Sequence, residues 1–149
     1  LKVIFNVKSG KVPALDLKEA KNLNELLAAL AKKNLLQSAH DCSEGGLAVT
    51  LAESCILERG REIGAVIQMP FEGLSKEAFL FGESQSRVVL SINPKNLKAV
   101  EDVIRSFRVF FEVIGQVGGK TLRINDLIGV PLEVLSHTWR NSIKRRMGA

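Results

Sequence analysis

The chain has 149 residues, of which 46% are hydrophobic and 25% charged, and its formal net charge is +5 at pH 7. These proportions are typical of a globular chain with a real core, and no apolar run approaches the roughly 18 residues of a membrane helix. The first residues lack the basic-then-apolar pattern of a secretion signal, so we expect a cytoplasmic protein. Because the sequence starts at Leu1 inside an apolar run, without methionine, we expect a fragment of a longer protein.

The N-terminal part predicts a helix followed by a strand. Residues 1–7 fit either a strand or the last turns of a helix, and residues 9–13 read as a loop. Asp16 is a suitable N-cap for a helix to about residue 33, in which leucine and alanine recur along one face. A loop and a short strand over residues 35–41 complete this part.

The middle of the chain alternates helices and strands. A mostly buried helix is expected over residues 46–59, with Gly60 just past its end, and a strand over residues 63–69. A short helix follows over residues 75–80. Residues 87–92 (RVVLSI) form the clearest strand, and Asn93 then starts a helix to about residue 106.

The last part predicts two strands and a helix. Residues 109–117 and 120–124 are expected to pair as a hairpin across Gly118-Gly119, and a final helix covers residues 131–145. We prefer a hairpin turn to a phosphate loop at GQVGGK (residues 115–120), because a strand follows it. The order favours one α+β (layered α/β) domain, with a mixed sheet of about four strands packed with helices.

The positive charge is concentrated near the C-terminus, in Arg140, Lys144, Arg145 and Arg146. The chain has one tryptophan and no tyrosine, which leaves little aromatic surface on which bases could stack. We therefore interpret the basic end as a solvated helix face and expect no nucleic-acid site.

The segment HDCSEGGL (residues 40–47) predicts a strand-to-helix loop that can hold a phosphate-bearing ligand. Asp41 could bind Mg²⁺, and Ser43 could donate to a phosphate. Gly45 and Gly46 would let the backbone approach the ligand at the start of a helix, where the amides are unpaired. The alternative is a purely structural turn, with Ser43 as the N-cap, and local chemistry leaves both readings open.

The segment GESQSR (residues 82–87) is a second candidate binding loop. Glu83, Ser84 and Gln85 could bond ribose hydroxyls or an amide group, and Arg87 could meet a phosphate. The alternative is an ordinary polar loop with Ser84 as a turn cap.

The cysteines and the late aromatic residues favour structural roles. Cys42 and Cys55 have no metal-ligand spacing and read as reduced thiols. A nucleophilic Cys42 beside His40 is a weaker alternative, because the two are too close in sequence for in-line proton transfer. His137 and Trp139 lie on the expected final helix and indicate packing.

Two segments together carry a family resemblance: HDCSEGGLAVTLAES (residues 40–54) and FGESQSRVVLSI (residues 81–92). PALDL before the first helix, IGQVGG in the predicted hairpin and VPLEVL in the last helix agree with it. Over nearly all 149 residues, the chain resembles the C-terminal domain of phosphoribosylformylglycinamidine synthase, which has the aminoimidazole ribonucleotide synthetase-like fold.

The resemblance implies a reaction and its participants. The family converts formylglycinamide ribonucleotide to its amidine in purine biosynthesis, using ATP, Mg²⁺ and ammonia from a glutaminase. The implied partners are the missing N-terminal domains of the same polypeptide and, in the short form of the enzyme, a glutaminase subunit and a small bridging subunit. The chain alone would be inactive. The alternative is a structural module whose bound Mg-nucleotide, such as ADP, stabilises the assembled synthase.

The resemblance also assigns residues. It implies a linker over residues 1–15 and a single synthase domain over residues 16–149, with no catalytic residue in the chain, because the family's catalytic histidine lies in the N-terminal domains. The implied roles are metal binding for Asp41, nucleotide or phosphate binding for Ser43, Gly45 and Gly46, and possible substrate binding for Glu83, Ser84 and Gln85.

Overall fold

The computed structural model describes residues 14–71, 73 and 75–148. The expectations for residues 1–7 and 9–13, and most of the predicted linker, therefore lie outside the described residues. The helices are α1 (Leu17–Lys32), α2 (Gly46–Ile56), α3 (Lys76–Phe81), α4 (Leu97–Phe107, after a 3₁₀ turn at Pro94–Asn96), α5 (Leu132–Arg140) and α6 (Ser142–Arg146). The strands are β1 (Leu36–Asp41), β2 (Ala65–Ile67), β3 (Val88–Ile92), β4 (Gly115–Val117), β5 (Thr121–Ile124) and β6 (Ile128–Pro131).

The strands form two separate sheets. Four of them make a mixed sheet in the order β4-β2-β5-β6, in which β2 and β5 form the one parallel pair of neighbours. The other two, β1 and β3, form an antiparallel ribbon. The expected α+β fold with a mixed four-stranded sheet is confirmed, and the ribbon is an addition to it. Among the described helices, none has the length and apolar character needed to cross a membrane.

The predicted hairpin between residues 109–117 and 120–124 is wrong. Strand β4 covers only Gly115–Val117, and β2 lies between it and β5. The reason is the position of Gly64, whose N–H donates to Gly119 O (3.0 Å) while its carbonyl accepts from Gly118 N (2.7 Å). The Gly118-Gly119 turn is therefore hydrogen-bonded to Gly64, the residue just before β2. The hairpin forms instead between β5 and β6.

Helix and strand ends also differ from the sequence expectation. The final helix breaks at Asn141, whose side-chain amide donates to His137 O at 2.8 Å and caps α5. Helix α2 ends at Ile56, because Ile63 N then bonds back to Cys55 O at 3.1 Å. The strand predicted over residues 63–69 shortens to β2. By contrast, the predicted N-cap of α1 is confirmed, since Asp16 Oδ1 accepts from Lys18 N at 2.8 Å.

Two apolar clusters lie on opposite faces of the ribbon. The helix-pair cluster joins α1 to α4, and the sheet cluster joins α2, α3 and α5 to the four-stranded sheet. In β3, Leu90 packs against the helix-pair cluster and Val89 against the sheet cluster, as alternation along a strand requires. The buried members of the helix-pair cluster are Leu26, Leu30, Val100 and Ile104. The buried members of the sheet cluster are Leu47, Ala48, Leu51, Cys55, Ile56, Ala65, Ile67, Met69, Leu80, Leu122, Ile124 and Leu132.

Candidate functional site

The ribbon places the two candidate loops side by side. Loop A (residues 41–46) begins at the last residue of β1, and loop B (residues 82–87) ends just before β3, which is antiparallel to β1. The ladder pairs Asp41 with Val88 and continues in a hydrogen bond from Cys42 N to Arg87 O at 2.9 Å. The two motifs, distant in sequence, therefore lie next to each other at one end of the ribbon.

A hydrogen bond joins the middle of the two loops. Gly45 N donates to Glu83 Oε1 at 3.0 Å, so the loop B carboxylate lies at the N-cap position of α2. Gly45 has φ +83° and Gly46 has φ +64°, in the left-handed region that favours glycine. A Cβ at Gly46 would lie 2.7 Å from the carbonyl carbon of Phe81, so glycine also permits close packing of α2 on α3.

Asp41 and Ser43 form a polar pair within loop A. The Ser43 hydroxyl donates to Asp41 Oδ2, and this hydrogen bond is the main cause that lowers the pKa of Asp41 below its ordinary value of 3.8. Asp41 is thus an exposed, ionised carboxylate at neutral pH. The alternative reading of Ser43 as the helix N-cap is wrong, because the cap is Gly45 and no side chain caps α2.

His40 occupies the base of loop A, and the sequence assigned it no role. Its Nδ1 lies 2.8 Å from Asp41 O, and its Nε2 lies 3.3 Å from Glu53 Oε2 on α2. The other oxygen of Glu53 accepts from Trp139 Nε1 at 3.4 Å. The sequence reasoning assigned Glu53 no role, although it lies within the segment 40–54, because its contacts with His40 and Trp139 arise only from the packing of α2 and α5.

The cysteines keep their structural interpretation. Cys42 is half-buried and packs against the sheet cluster, while the ring nitrogens of its neighbour His40 face Asp41 and Glu53. Burial raises the pKa of the Cys55 thiol, which makes it a poor nucleophile. Neither residue therefore supports thiol catalysis.

In loop B, Glu83, Ser84 and Gln85 are exposed. Arg87, expected to meet a phosphate, instead donates to Gly82 O at 3.4 Å and Phe79 O at 3.5 Å, with its guanidinium 5.5 Å from the centre of the Phe79 ring. A cation is favoured at the carbonyl end of a helix, and α3 ends here. Arg87 therefore braces loop B, and the exposed polar side chains of the loop are those of Glu83, Ser84, Gln85 and Ser86.

Asp41 fits Mg²⁺ as a contributing ligand. Among residues 14–71, 73 and 75–148, no three His, Cys, Asp or Glu side chains cluster as a complete ligand set. Mg²⁺ is commonly held by one or two carboxylates together with substrate phosphates, so one exposed carboxylate suits part of such a site. A cleft of about 470 Å³ lies elsewhere, between Glu62, Lys120 and α5, and no residue of loops A or B lines it. Asp41 and Ser43 in loop A are exposed, as are Glu83, Ser84 and Gln85 in loop B, so the two loops form an open surface.

Comparison with known proteins gives a consistent match. The family model described as "AIR synthase related protein, C-terminal domain" matches residues 2–125. The chain is 38% identical, over 91% of its length, to phosphoribosylformylglycinamidine synthase subunit PurL of Anaeromyxobacter sp. (strain K). It is also 38% identical, over 99% of its length, to the same subunit of Thermoanaerobacter pseudethanolicus. It spans only 19% and 20% of these two relatives.

Solved structures share the fold. T. maritima PurL complexed with FGAR aligns with a TM-score of 0.71 and 20% identity, over 87% of this chain and 23% of that one. T. maritima PurL complexed with ATP aligns with a TM-score of 0.69, also at 20% identity and with the same coverage. At this identity, the likeness extends to the fold alone.

Proposed function

The chain belongs to the family of AIR synthase related proteins, C-terminal domain, and we propose that it contributes one domain of an ATP-dependent amidine-forming synthase of purine biosynthesis. The reaction would convert formylglycinamide ribonucleotide to formylglycinamidine ribonucleotide. Support comes from the relatives named PurL at 38% identity and from the loop motifs that carry the resemblance. Since the chain spans about a fifth of those relatives, the activity would belong to the complete protein.

The observation that carries this proposal is the hydrogen bond from Gly45 to Glu83, which joins the two motif loops into one surface. In this surface we assign Asp41 to Mg²⁺ and Ser43 to the phosphate side of an ATP or ADP site. Gly45 and Gly46 shape that side through their left-handed backbone. The exposed loop B groups, including Ser84 and Gln85, would face the ribose or amide part of a ligand.

The remaining parts of the site would come from elsewhere. The open surface of loops A and B suits half of a site, completed by other domains of the same polypeptide. A glutaminase subunit and a small bridging subunit are the further partners we propose, in the cytoplasm. We expect the 149-residue chain alone to form no amidine and hydrolyse no ATP, and turnover by the purified chain would contradict this.

The test is Asp41→Ala, alone and with Ser43→Ala, in the complete enzyme that contains this chain. If the loops hold the reacting nucleotide, kcat falls at least about tenfold, while the thermal unfolding midpoint falls only by the small amount caused by loss of the Asp41–Ser43 hydrogen bond. Asp126→Asn is the matched control, because Asp126 is an exposed carboxylate on the β5–β6 turn, outside both loops. Normal kcat in Asp41→Ala would exclude a catalytic role for the site.

A second candidate is a structural Mg-nucleotide module. The close packing of Gly46 on the backbone of Phe81 and Gly82 favours it, because a ligand spanning both loops would brace α2 against α3. In this case Asp41→Ala lowers the unfolding midpoint of the complete enzyme and leaves kcat nearly normal. Added ADP would then raise the midpoint of the parent protein but not that of the variant.

A further inference from the structure

We propose that Glu83 is a positioning residue, which holds loop B against loop A through Gly45, and that ligand contact from loop B falls to Ser84 and Gln85. This inference rests on the proposed function only for its effect on turnover. The hydrogen bond from Gly45 N to Glu83 Oε1, called the Glu83 tie below, joins the described loops whatever the reaction is. It separates the role of Glu83 from the roles of its two neighbours, which share its motif and its exposure.

The hydrogen bond commits the carboxylate to the backbone of loop A. Gly45 N lies 3.0 Å from Glu83 Oε1, and a hydrogen bond from a backbone amide to a carboxylate is stronger than one between neutral groups. The position is also electrostatically favourable, because the N-terminal end of α2 carries partial positive charge. Glu83 thus supplies the anion that this helix start attracts.

The backbone of Gly45 explains why a side chain from loop B is needed. Gly45 is the N-cap of α2, and that helix has no side-chain cap of its own. The next amide, Gly46 N, already donates to Ser43 O at 3.1 Å. Without Glu83, the amide of Gly45 would lose its partner, and the left-handed turn would be free to rearrange.

Other contacts hold the two ends of loop B but leave its centre to Glu83. At one end, Arg87 O accepts from Cys42 N at 2.9 Å. At the other end, Gly82 N donates to Ala78 O at 2.9 Å, and Arg87 reaches back to Gly82 O. Ser84 lies between these ends, next to Glu83. The position of Ser84 and Gln85 relative to Asp41 therefore depends on the Glu83 tie.

The first measurement is hydrogen exchange at Gly45 in the complete enzyme, by mass spectrometry of peptides covering residues 42–49. In Glu83→Ala the exchange rate at Gly45 rises about tenfold, the change expected for loss of a hydrogen bond to a charged group. In Glu83→Gln the amide oxygen can still accept, and the rate stays within about threefold of the parent. Glu77→Ala, which removes an exposed carboxylate from the first turn of α3, leaves the rate unchanged.

The second measurement is the kinetics of amidine formation by the same variants. Glu83→Ala lowers kcat/KM about tenfold, whereas Glu83→Gln lowers it by no more than about threefold, because its amide oxygen still accepts from Gly45 N and only the contribution of the charge is lost. If Glu83→Gln is as impaired as Glu83→Ala while Gly45 exchange stays normal in both, the carboxylate contacts the ligand and the proposal is overturned. Unchanged Gly45 exchange in Glu83→Ala overturns it as well.

The two measurements also separate this inference from the proposed function. If the parent enzyme forms no amidine, the proposed function fails, and Gly45 exchange in the alanine and glutamine variants still decides whether Glu83 is the tie. If the parent enzyme is active and Gly45 exchanges at the same rate in Glu83→Ala as in the parent, the proposed function stands and the Glu83 tie is rejected.

Discussion

In Ser43→Ala the pKa of Asp41 is expected to rise toward 3.8, because the Ser43 hydroxyl is the main cause that lowers it. An NMR titration of the Asp41 carboxyl carbon in both proteins measures this. Asp102 serves as the internal control, because its pKa is lowered chiefly by the hydrogen bond from Lys98 and should stay the same. An Asp41 that titrates at its ordinary value in the parent chain would contradict the pairing.

The same pair predicts the direction of a pH effect on stability. Because the folded-state pKa of Asp41 lies below 3.8, the pair stabilises the fold at higher pH, and this contribution disappears as pH falls through the lowered pKa. Urea unfolding midpoints of the parent and Ser43→Ala should therefore differ at neutral pH and converge in acid below 3.8. A difference that widens on acidification would show that another group dominates.

Gly46→Ala should cost more stability than the matched substitution Gly60→Ala. Both glycines have positive φ, +64° and +82°, so each alanine meets a left-handed backbone that costs about 1–2 kcal/mol. A Cβ at Gly60 meets nothing within 4 Å, whereas one at Gly46 lies 2.7 Å from the backbone of Phe81. We expect a further loss of about 1–3 kcal/mol at Gly46, measured by chemical denaturation. Equal losses would mean that α3 moves aside.

At the scale of elements, Asn125 joins the β5–β6 turn to the end of β2. Its side chain accepts from Met69 N at 2.9 Å and donates to Met69 O at 2.8 Å, and its own N–H donates to Ile67 O. Asn125→Ala should lose about 2–3 kcal/mol of unfolding free energy, because two partly buried hydrogen bonds disappear. Urea denaturation measures the loss.

Asn34→Ala is the control for this substitution. Asn34 is exposed and has φ +53°, close to the +46° of Asn125, so it carries the same backbone cost of replacing asparagine in the left-handed region. If both variants lose the same free energy, the bonds to Met69 contribute nothing net. A larger loss at position 125 isolates the effect of the two bonds.

The helices could be predicted from local signals, and the strand pairing could not. Asp16 and Ser75 cap α1 and α3 through bonds within three residues, which a sequence pattern can express. The Gly118-Gly119 pair gives an equally clear local signal for a hairpin, yet its partner Gly64 lies far away in the chain. Insertion of β2 between β4 and β5 is thus a long-range event that no local pattern contains.

The candidate site shows the same difference between local and long-range signals. Each loop could be predicted from its own residues, because glycines, a carboxylate and hydroxyls next to a strand indicate a binding loop within a short stretch of sequence. Their joining depends on β1 pairing with β3 and on the bond from Gly45 to Glu83, which spans 38 positions. Arg87 could meet a phosphate by its sequence, but its contacts with Gly82 O and Phe79 O depend on α3 ending next to it, which the loop sequence alone does not show.

For the whole molecule, the division of the core suggests two cooperative units. Leu30 lies in the helix-pair cluster and Leu122 in the sheet cluster, and both are buried with 0% and 1% exposure. Among the described residues, the thin β1–β3 ribbon and the segment 109–114 carry side chains into both clusters. Because loops A and B extend from that ribbon, the candidate site lies where the two units meet. Local opening of either unit would then disturb the relative position of the loops.

Leu30→Ala and Leu122→Ala test this division in the 149-residue chain. Each truncation should lose about 2–5 kcal/mol of unfolding free energy. Trp139, the single tryptophan, lies on α5 beside the sheet cluster and reports that unit by fluorescence, while circular dichroism reports all helices.

In Leu30→Ala the dichroism signal should begin to fall at lower urea than the fluorescence, because α1 and α4 unfold first. In Leu122→Ala the fluorescence transition should shift to lower urea. Coincident transitions in both variants would instead identify one cooperative unit.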